Sequence, residues 1–243
     1  MKNNVIAVIP ARSGSKGVID KNIKLLEGIP LIAYSIAVAL KSKLIDRVIV
    51  STDSKHYADI AISYGAEVPF FRPKEISGDT STDYEFVKHL LDWLKSNETC
   101  EPKFIIHLRP VVPIRDSDIV DAGIREFMNN QEATSLRSAH IMSETAYKRC
   151  EKDNDYFKAV GTNSFELDEL NGPRQNFPVT YTLNGYVDVL RTSFIIKNCK
   201  IHGNRVMPFI TPHSYEIDIK EDFDFLKWQI TQRPNLINKL FKD

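Results

Sequence analysis

Unbroken apolar runs alternate with stretches of helical periodicity through the first half of the chain. Residues 5–9 are all apolar, the signature of a strand buried on both faces. Residues 30–41 place Leu31, Tyr34, Ser35 and Val38 on one face of a predicted helix. A second strand is predicted at 48–51. A helix at 55–64 stops at Gly65, a residue free to take the left-handed conformation that ends helices. A short strand at 68–71 and a helix at 82–95 follow, the latter with Phe86, Leu90 and Trp93 on one side. Residues 104–108 read as a strand and 116–128 as a helix. Strands separated by helices of this length predict βαβ units and a parallel sheet with right-handed connections.

The pattern changes near residue 132. Residues 134–139, 146–150 and 156–160 read as strands with no helix between them, and 163–178 is polar and rich in turn formers. Strands at 182–190 and 205–209 and helices at 221–233 and 234–241 complete the chain. The expectation is an α/β fold: a Rossmann-like, mostly parallel sheet in one domain over 1–243, with a small β-rich excursion at about 137–178. No repeat or long flexible linker interrupts it.

Composition narrows the class. The 243 residues carry 32 Lys+Arg and 32 Asp+Glu, so no chain-wide basic excess marks a nucleic-acid binder. Apolar residues make up 42% and charged ones 26%, too apolar for a disordered chain. No window has the roughly 18 apolar residues of a membrane span. Cys100, Cys150 and Cys199 are widely spaced, without a zinc-site pattern, as suits a reducing compartment. The strand-like start shows no charged leader with an apolar stretch behind it, so the expected location is the cytoplasm.

The loop after the first strand carries the clearest chemistry. It reads Pro10-Ala11-Arg12-Ser13-Gly14-Ser15-Lys16-Gly17, then Asp20-Lys21-Asn22. Ligands of open α/β sheets bind beyond the carboxyl ends of strands. Glycines let the backbone come close to a ligand, and successive N–H groups in such a loop make an anion-binding concavity. Arg12, Lys16 and Lys21 add three cations within ten residues, which suits a triphosphate. The alternative is a solvated basic turn. The loop is neither a Walker A motif nor a Gly-x-Gly-x-x-Gly fingerprint.

This stretch resembles the N-terminal signature of the CMP-sialic acid synthetases (acylneuraminate cytidylyltransferases), Ile-Pro-Ala-Arg-x-x-Ser-Lys-Gly followed by Lys-Asn. Pro10, Ala11, Arg12, Ser15, Lys16, Gly17, Lys21 and Asn22 match it. The resemblance implies that Arg12, Ser15 and Lys21 hold the phosphates of CTP, that Asn22 contacts the nucleotide, and that Ala11 and Lys16 line the same site. Further along, Arg72-Pro73 and the 76–82 segment resemble the element that recognises cytosine, with Arg72 and Thr82 at the matching positions. A helix cap at Ser81 or Thr82 is the structural alternative.

Residues 108–115 (Leu-Arg-Pro-Val-Val-Pro-Ile-Arg) resemble the family's Leu-Gln-Pro-Thr-Ser-Pro-Leu-Arg. The family's sugar-pocket Gln is Arg109 here, placed to pair with an acceptor carboxylate. The 171–186 segment resembles an Arg-Gln-x-x-Pro…Tyr…Asn-Gly pattern and makes Arg174, Gln175, Tyr181 and Asn184 sugar-binding candidates. Tyr186-Val187-Asp188 departs from the usual Ala-Ile-Tyr, with Asp188 either structural or at the ligand. Glu216-Ile217-Asp218 resembles the family's metal-holding Asp-Ile-Asp. Carboxylates two apart on an extended segment face one side and can share a Mg²⁺ that also takes phosphate oxygens. The alternative is that Asp218 or Asp222 caps the following helix.

The resemblance thus implies a Mg²⁺-dependent cytidylyltransferase that joins CTP to a sialic-acid-like nonulosonic acid and releases pyrophosphate. Arg12, Lys21 and Asp218 would carry the chemistry, and the excursion would serve dimerisation and sugar binding in a homodimer. Neither nucleic acid nor membrane is an expected partner. A nucleotidyltransferase of the same fold acting on another sugar or nucleotide, or a non-catalytic relative, are the alternatives.

Overall fold

The computed structural model describes residues 4–15, 17–233 and 235–241. In chain order the strands are β1 (Val5–Pro10), β2 (Leu25–Leu26), β3 (Ile29–Pro30), β4 (Arg47–Ser51), β5 (Phe104–His107), β6 (Ser135–Ile141), β7 (Cys150–Asp153), β8 (Tyr156–Ala159), β9 (Tyr181–Arg191) and β10 (Val206–Ile210). The α-helices are α1 (Leu31–Lys41), α2 (Lys55–Ser63), α3 (Asp83–Glu98), α4 (Ser117–Asn129), α5 (Thr192–Asn198), α6 (Lys220–Thr231) and α7 (Asn235–Phe241).

Six strands form the central sheet in the order β10-β6-β9-β5-β1-β4. β1 pairs in parallel with β4 and β5, and β10 in parallel with β6. Only β9 runs against its neighbours, β5 and β6, so the sheet is mostly parallel, as expected. Its register on β6 shifts between Arg137 and Ala139. Helices cover both faces. Ala7 and Ile9 of β1 point into a core shared with α1, α2, α4, α6 and α7, and Ile6 and Val8 into a second core under α3 and α5. Alternate residues of one strand therefore feed opposite cores, which is why β1 has no polar position to spare.

Local signals place the helix starts. Ser54 accepts from the Tyr57 N–H at the head of α2, and Asp116 from the Asp118 N–H at the head of α4. Gly65, at φ +92°, takes the left-handed conformation just past α2.

Two expectations are corrected and one helix is added. Residues 68–71 are not a strand. The chain there meets the β4 edge only at isolated bridges, Ile49 with Glu67 just before the segment and Phe71 with Thr52 just past β4, because too few residues run alongside for a ladder. Residues 146–148 form a 3-10 turn capped by Thr145, and strand β7 starts only at Cys150. Helix α5 is unanticipated; at seven residues it is too short to show a period. β7 and β8 pair only with each other, as an antiparallel hairpin within the excursion. No helix among the described residues is long and apolar enough to cross a membrane, and the three cysteines are free thiols.

Candidate active site

The carboxyl ends of β1, β4 and β5 open onto a cleft of about 440 Å³. Its wall includes Arg12, Ser15, Lys21 and Asn22 from the first loop, Arg72 and Thr82 beyond β4, Arg109 beyond β5, and Asp218. Residues from five separate stretches thus converge where ligands of this fold class bind.

The first loop is tied down from several sides. Asp53, at the end of β4, accepts from the Ser13 N–H at 2.7 Å and the Ser13 hydroxyl at 2.8 Å. Asn22 is buried and donates from Nδ2 to Arg12 O at 3.1 Å, so it braces the loop while also lining the cleft. Ala11 is buried, its N–H bonded to Ser51 O at 2.9 Å, and it anchors the loop rather than lining the opening. Lys16 lies outside the described residues.

Two cations of the loop have acidic partners. Arg12 Nη2 lies 2.8 Å from Asp79 Oδ1, an ion pair at the surface. Exposed pairs of this kind contribute about 0–1 kcal/mol, so a polyanion can take Arg12 from Asp79 at little cost. Lys21 Nζ donates to Ile217 O at 2.7 Å and lies 3.4 Å from Asp218 Oδ1. That contact joins the first loop to the carboxylate segment near the end of the chain. Gly17 tightens the junction: a Cβ there would stand 2.8 Å from the backbone oxygen of Asp218.

Ile217 is fully buried and its N–H bonds Val111 O at 2.9 Å, so Glu216 and Asp218 flank a fixed point. Asp222 caps α6, accepting from the N–H groups of Asp218 and Ile219 at 2.7 and 2.9 Å. Of the two capping alternatives it is Asp222 that serves, which leaves the Asp218 side chain, 73% exposed, open to the cleft. Desolvation raises the Glu216 pKa; Arg109 opposes that rise and Asp218 adds to it. No group of three or more His, Cys, Asp or Glu is gathered as a metal site among the described residues. Mg²⁺ is commonly bound through only one or two carboxylates plus substrate phosphates, so the donor chemistry fits it at Asp218, which lines the cleft, while Glu216 lies outside the cleft wall beside Gly185.

Arg72 is 5% exposed. It donates from Nε to Ser51 Oγ at 3.0 Å and from Nη2 to Ser51 O at 2.6 Å, and lies over the Phe86 ring. Burial lowers its pKa to about 10, still a cation at neutral pH. Two of its five N–H groups are thus engaged with Ser51, and the residue lines the cleft. Thr82 heads α3, its N–H and hydroxyl both donating to Glu85 Oε2 at 2.6 and 3.1 Å. It caps the helix and lines the cleft at once.

The sugar-binding candidates separate. Arg109 is at the cleft, but held by two carboxylates: Nη1 donates to Asp188 at 2.7 Å and Nη2 to Asp83 at 2.9 Å. Arg174 and Gln175 line a different cavity with Met142 and Phe177, where Arg174 donates to Met142 O at 2.9 Å. Tyr181 is half exposed at the start of β9. Asn184 is 2% exposed, with Nδ2 bonded to Thr211 Oγ1 at 2.8 Å and Oδ1 accepting from the Tyr186 N–H at 3.2 Å. Its side chain is engaged inside the fold and is not part of the cleft wall.

Sequence reasoning missed Asp83 and His107, which line the cleft, and left Asp188 undecided. His107 interrupts an apolar strand and is fully buried, and that break was the available signal.

The family model described as cytidylyltransferase matches residues 6–229. The chain is 32% identical over 240 residues to an N-acylneuraminate cytidylyltransferase of Escherichia coli, covering 97% of this chain and 54% of that protein. The chain therefore spans about half the length of that relative. A CMP-N,N'-diacetyllegionaminic acid synthase of Legionella pneumophila is 31% identical over 238 residues, covering 97% of each chain. In fold, the chain is similar to a CMP:2-keto-3-deoxy-manno-octonic acid synthetase solved with CTP. The TM-score is 0.68 at 14% identity, over 94% of this chain and 99% of that one. The matched segment runs from β1 into α6 and takes in the whole cleft wall, and on that evidence the chain belongs to the cytidylyltransferase family.

Proposed function

We propose that the protein transfers CMP from CTP to a nonulosonic acid, releasing pyrophosphate. The observation that carries this reading is the Lys21–Ile217 hydrogen bond, which sets the cationic first loop against Asp218 in one cleft. The acceptor's anomeric hydroxyl attacks the α-phosphorus and loses its proton, and the bond to pyrophosphate breaks. Charge grows on the leaving pyrophosphate, where Arg12 and Lys21 are placed to stabilise it. Ser15 and the N–H groups of the loop cradle the phosphates, and Arg72 and Thr82 offer donors to the acceptor atoms of cytosine. Asp218 would hold Mg²⁺, which, when bound, neutralises phosphate charge and acidifies the attacking hydroxyl. Free thiols suit a cytoplasmic setting.

The same reading makes the enzyme a homodimer. Arg174, Gln175 and Tyr181 do not line this chain's own cleft, while large apolar residues stay exposed in the excursion, among them Phe157 and Phe165, and just after it at Val179 and Leu183. In a dimer these residues would complete the partner's sugar pocket. Sedimentation of the purified protein as a dimer is the expected result, and a monomer at assay concentration removes this part of the reading.

Pyrophosphate release, followed across CTP, UTP, GTP and ATP with a panel of nonulosonic acids, tests the reaction. Release is expected with CTP and at least one acid. Turnover with UTP or GTP but not CTP would defeat the proposal. Gly17→Ala gives a local check. The added methyl must push the Asp218 backbone away from the loop, so kcat/KM is expected to fall by about 10²-fold, with a loss of stability of about 1–3 kcal/mol.

A further inference from the structure

Arg109 reaches the cleft with its charge already balanced. Asp188 arrives from β9, opposite His107 of β5, and Asp83 is the first residue of α3. They bind the two ends of one guanidinium fork, Nη1 to Asp188 Oδ2 and Nη2 to Asp83 Oδ2. Two carboxylates thus face one cation. Arg137 Nε, 3.6 Å from the other oxygen of Asp188, brings the group's formal charge only to zero. His107 contributes none. It is fully buried with Nδ1 3.8 Å from Asp83 and 3.9 Å from Asp188, and burial together with Arg109 keeps the ring neutral. Burial opposes the charge on Arg109, but Asp188 and Asp83 outweigh it and raise its pKa, so the guanidinium stays charged.

A substrate carboxylate brought to Arg109 would be a third acid on a guanidinium whose two ends already hold carboxylates, with Arg137 only balancing the second of them. An uncharged oxygen meets no such repulsion and can take the N–H groups that Asp83 and Asp188 leave over. Two departures from the resembled pattern meet here, one gaining a cation and the other an anion. Where the resembled pattern has Gln, this chain has Arg109; where it has Tyr, this chain has Asp188. The 2.7 Å contact makes these two departures one unit, a neutral donor built from an ion pair in place of a neutral donor built from an amide.

We propose that Arg109 reads an uncharged oxygen of the acceptor, a hydroxyl or acylamino carbonyl, and that Asp188 is the positioning residue that fixes the guanidinium for it. The inference rests on the cytidylyl-transfer reading, and it replaces the expectation that Arg109 pairs with the acceptor's carboxylate.

The test uses the full chain and pyrophosphate release at saturating CTP, with the acceptor that wild type turns over. Asp188→Asn is expected to raise the acceptor KM about tenfold, leave the CTP KM within twofold, and change kcat less than threefold. An acceptor KM that is unchanged or falls overturns the proposal; a fall means the added net positive charge attracts an acceptor carboxylate. Asp188→Asn can also fail to fold, since Asp188 is buried. R109Q/D188N, which removes both charges together and keeps an amide donor, then decides. Its acceptor KM is expected within about tenfold of wild type, and a larger rise overturns the proposal because the charge itself was needed. Wild type that releases no pyrophosphate with any acid sinks the cytidylyl-transfer reading. Wild type that turns over while D188N leaves the acceptor KM unmoved sinks this inference alone.

Discussion

Replacing Lys21 with alanine is expected to lower kcat/KM for CTP by about 10²- to 10³-fold, the usual loss when one preorganised donor to a developing anion is removed. The size follows from two roles in one side chain. On the proposed reading Lys21 offers charge to the leaving pyrophosphate, and through Ile217 O it holds the carboxylate segment against the first loop. K21R keeps the charge but not the compact reach, and is expected to recover only part of the loss. Steady-state kinetics with CTP varied at fixed acceptor decides it. A loss below tenfold in K21A would remove Lys21 from the chemistry.

The largest effect on stability is expected at Arg115. Its side chain is fully buried and donates to five acceptors: Tyr186 O at 2.6 Å, Gly185 O at 2.9 Å, Arg109 O at 2.7 Å, Ser35 Oγ at 2.9 Å, and Val112 O. One guanidinium thus fastens the loop after β5 to β9 and to α1. Burial lowers its pKa to about 9, which leaves it protonated at neutral pH. Arg115→Ala removes the shared donor from these buried acceptors, of which Arg109 O keeps the Ser35 hydroxyl and the Val112 N–H, and opens a cavity. A cost on the order of 4 kcal/mol is expected, comparable to breaking a buried ion pair and a large share of a domain's total stability. For a chain of this size that corresponds to a fall in Tm of roughly 8–16 °C. Urea unfolding measures it directly, and a change under 1 kcal/mol would show that the loop is held by other contacts.

How far the sequence could be read depends on the range of each interaction. β1, α3 and α4 announced themselves because their periodicity is local and their cores lie on both sides of the sheet. The 68–71 segment misled because its apolar residues suit a strand, while pairing depends on a neighbour that follows it for only isolated bridges. The first loop's place in the cleft was legible from residue types alone, since cations and glycines follow directly on a strand end. The bracing roles were not. Asn22 bonds the loop's own backbone and Asp222 takes the cap that Asp218 could have taken, and both choices depend on geometry. The pairing of Arg109 with Asp188 was the least accessible, since 79 residues separate them and only the β5–β9 register brings them together.

The Lys21–Ile217 contact spans 196 residues of chain, so the two halves of the cleft leave the ribosome at very different times. At typical synthesis rates of about 5–20 residues per second, the cationic loop waits at least about ten seconds for its carboxylates. During that interval the glycine-rich turn stands without the segment that faces it across the cleft. The cleft wall is complete only once the Asp218 segment has been made and has reached Lys21.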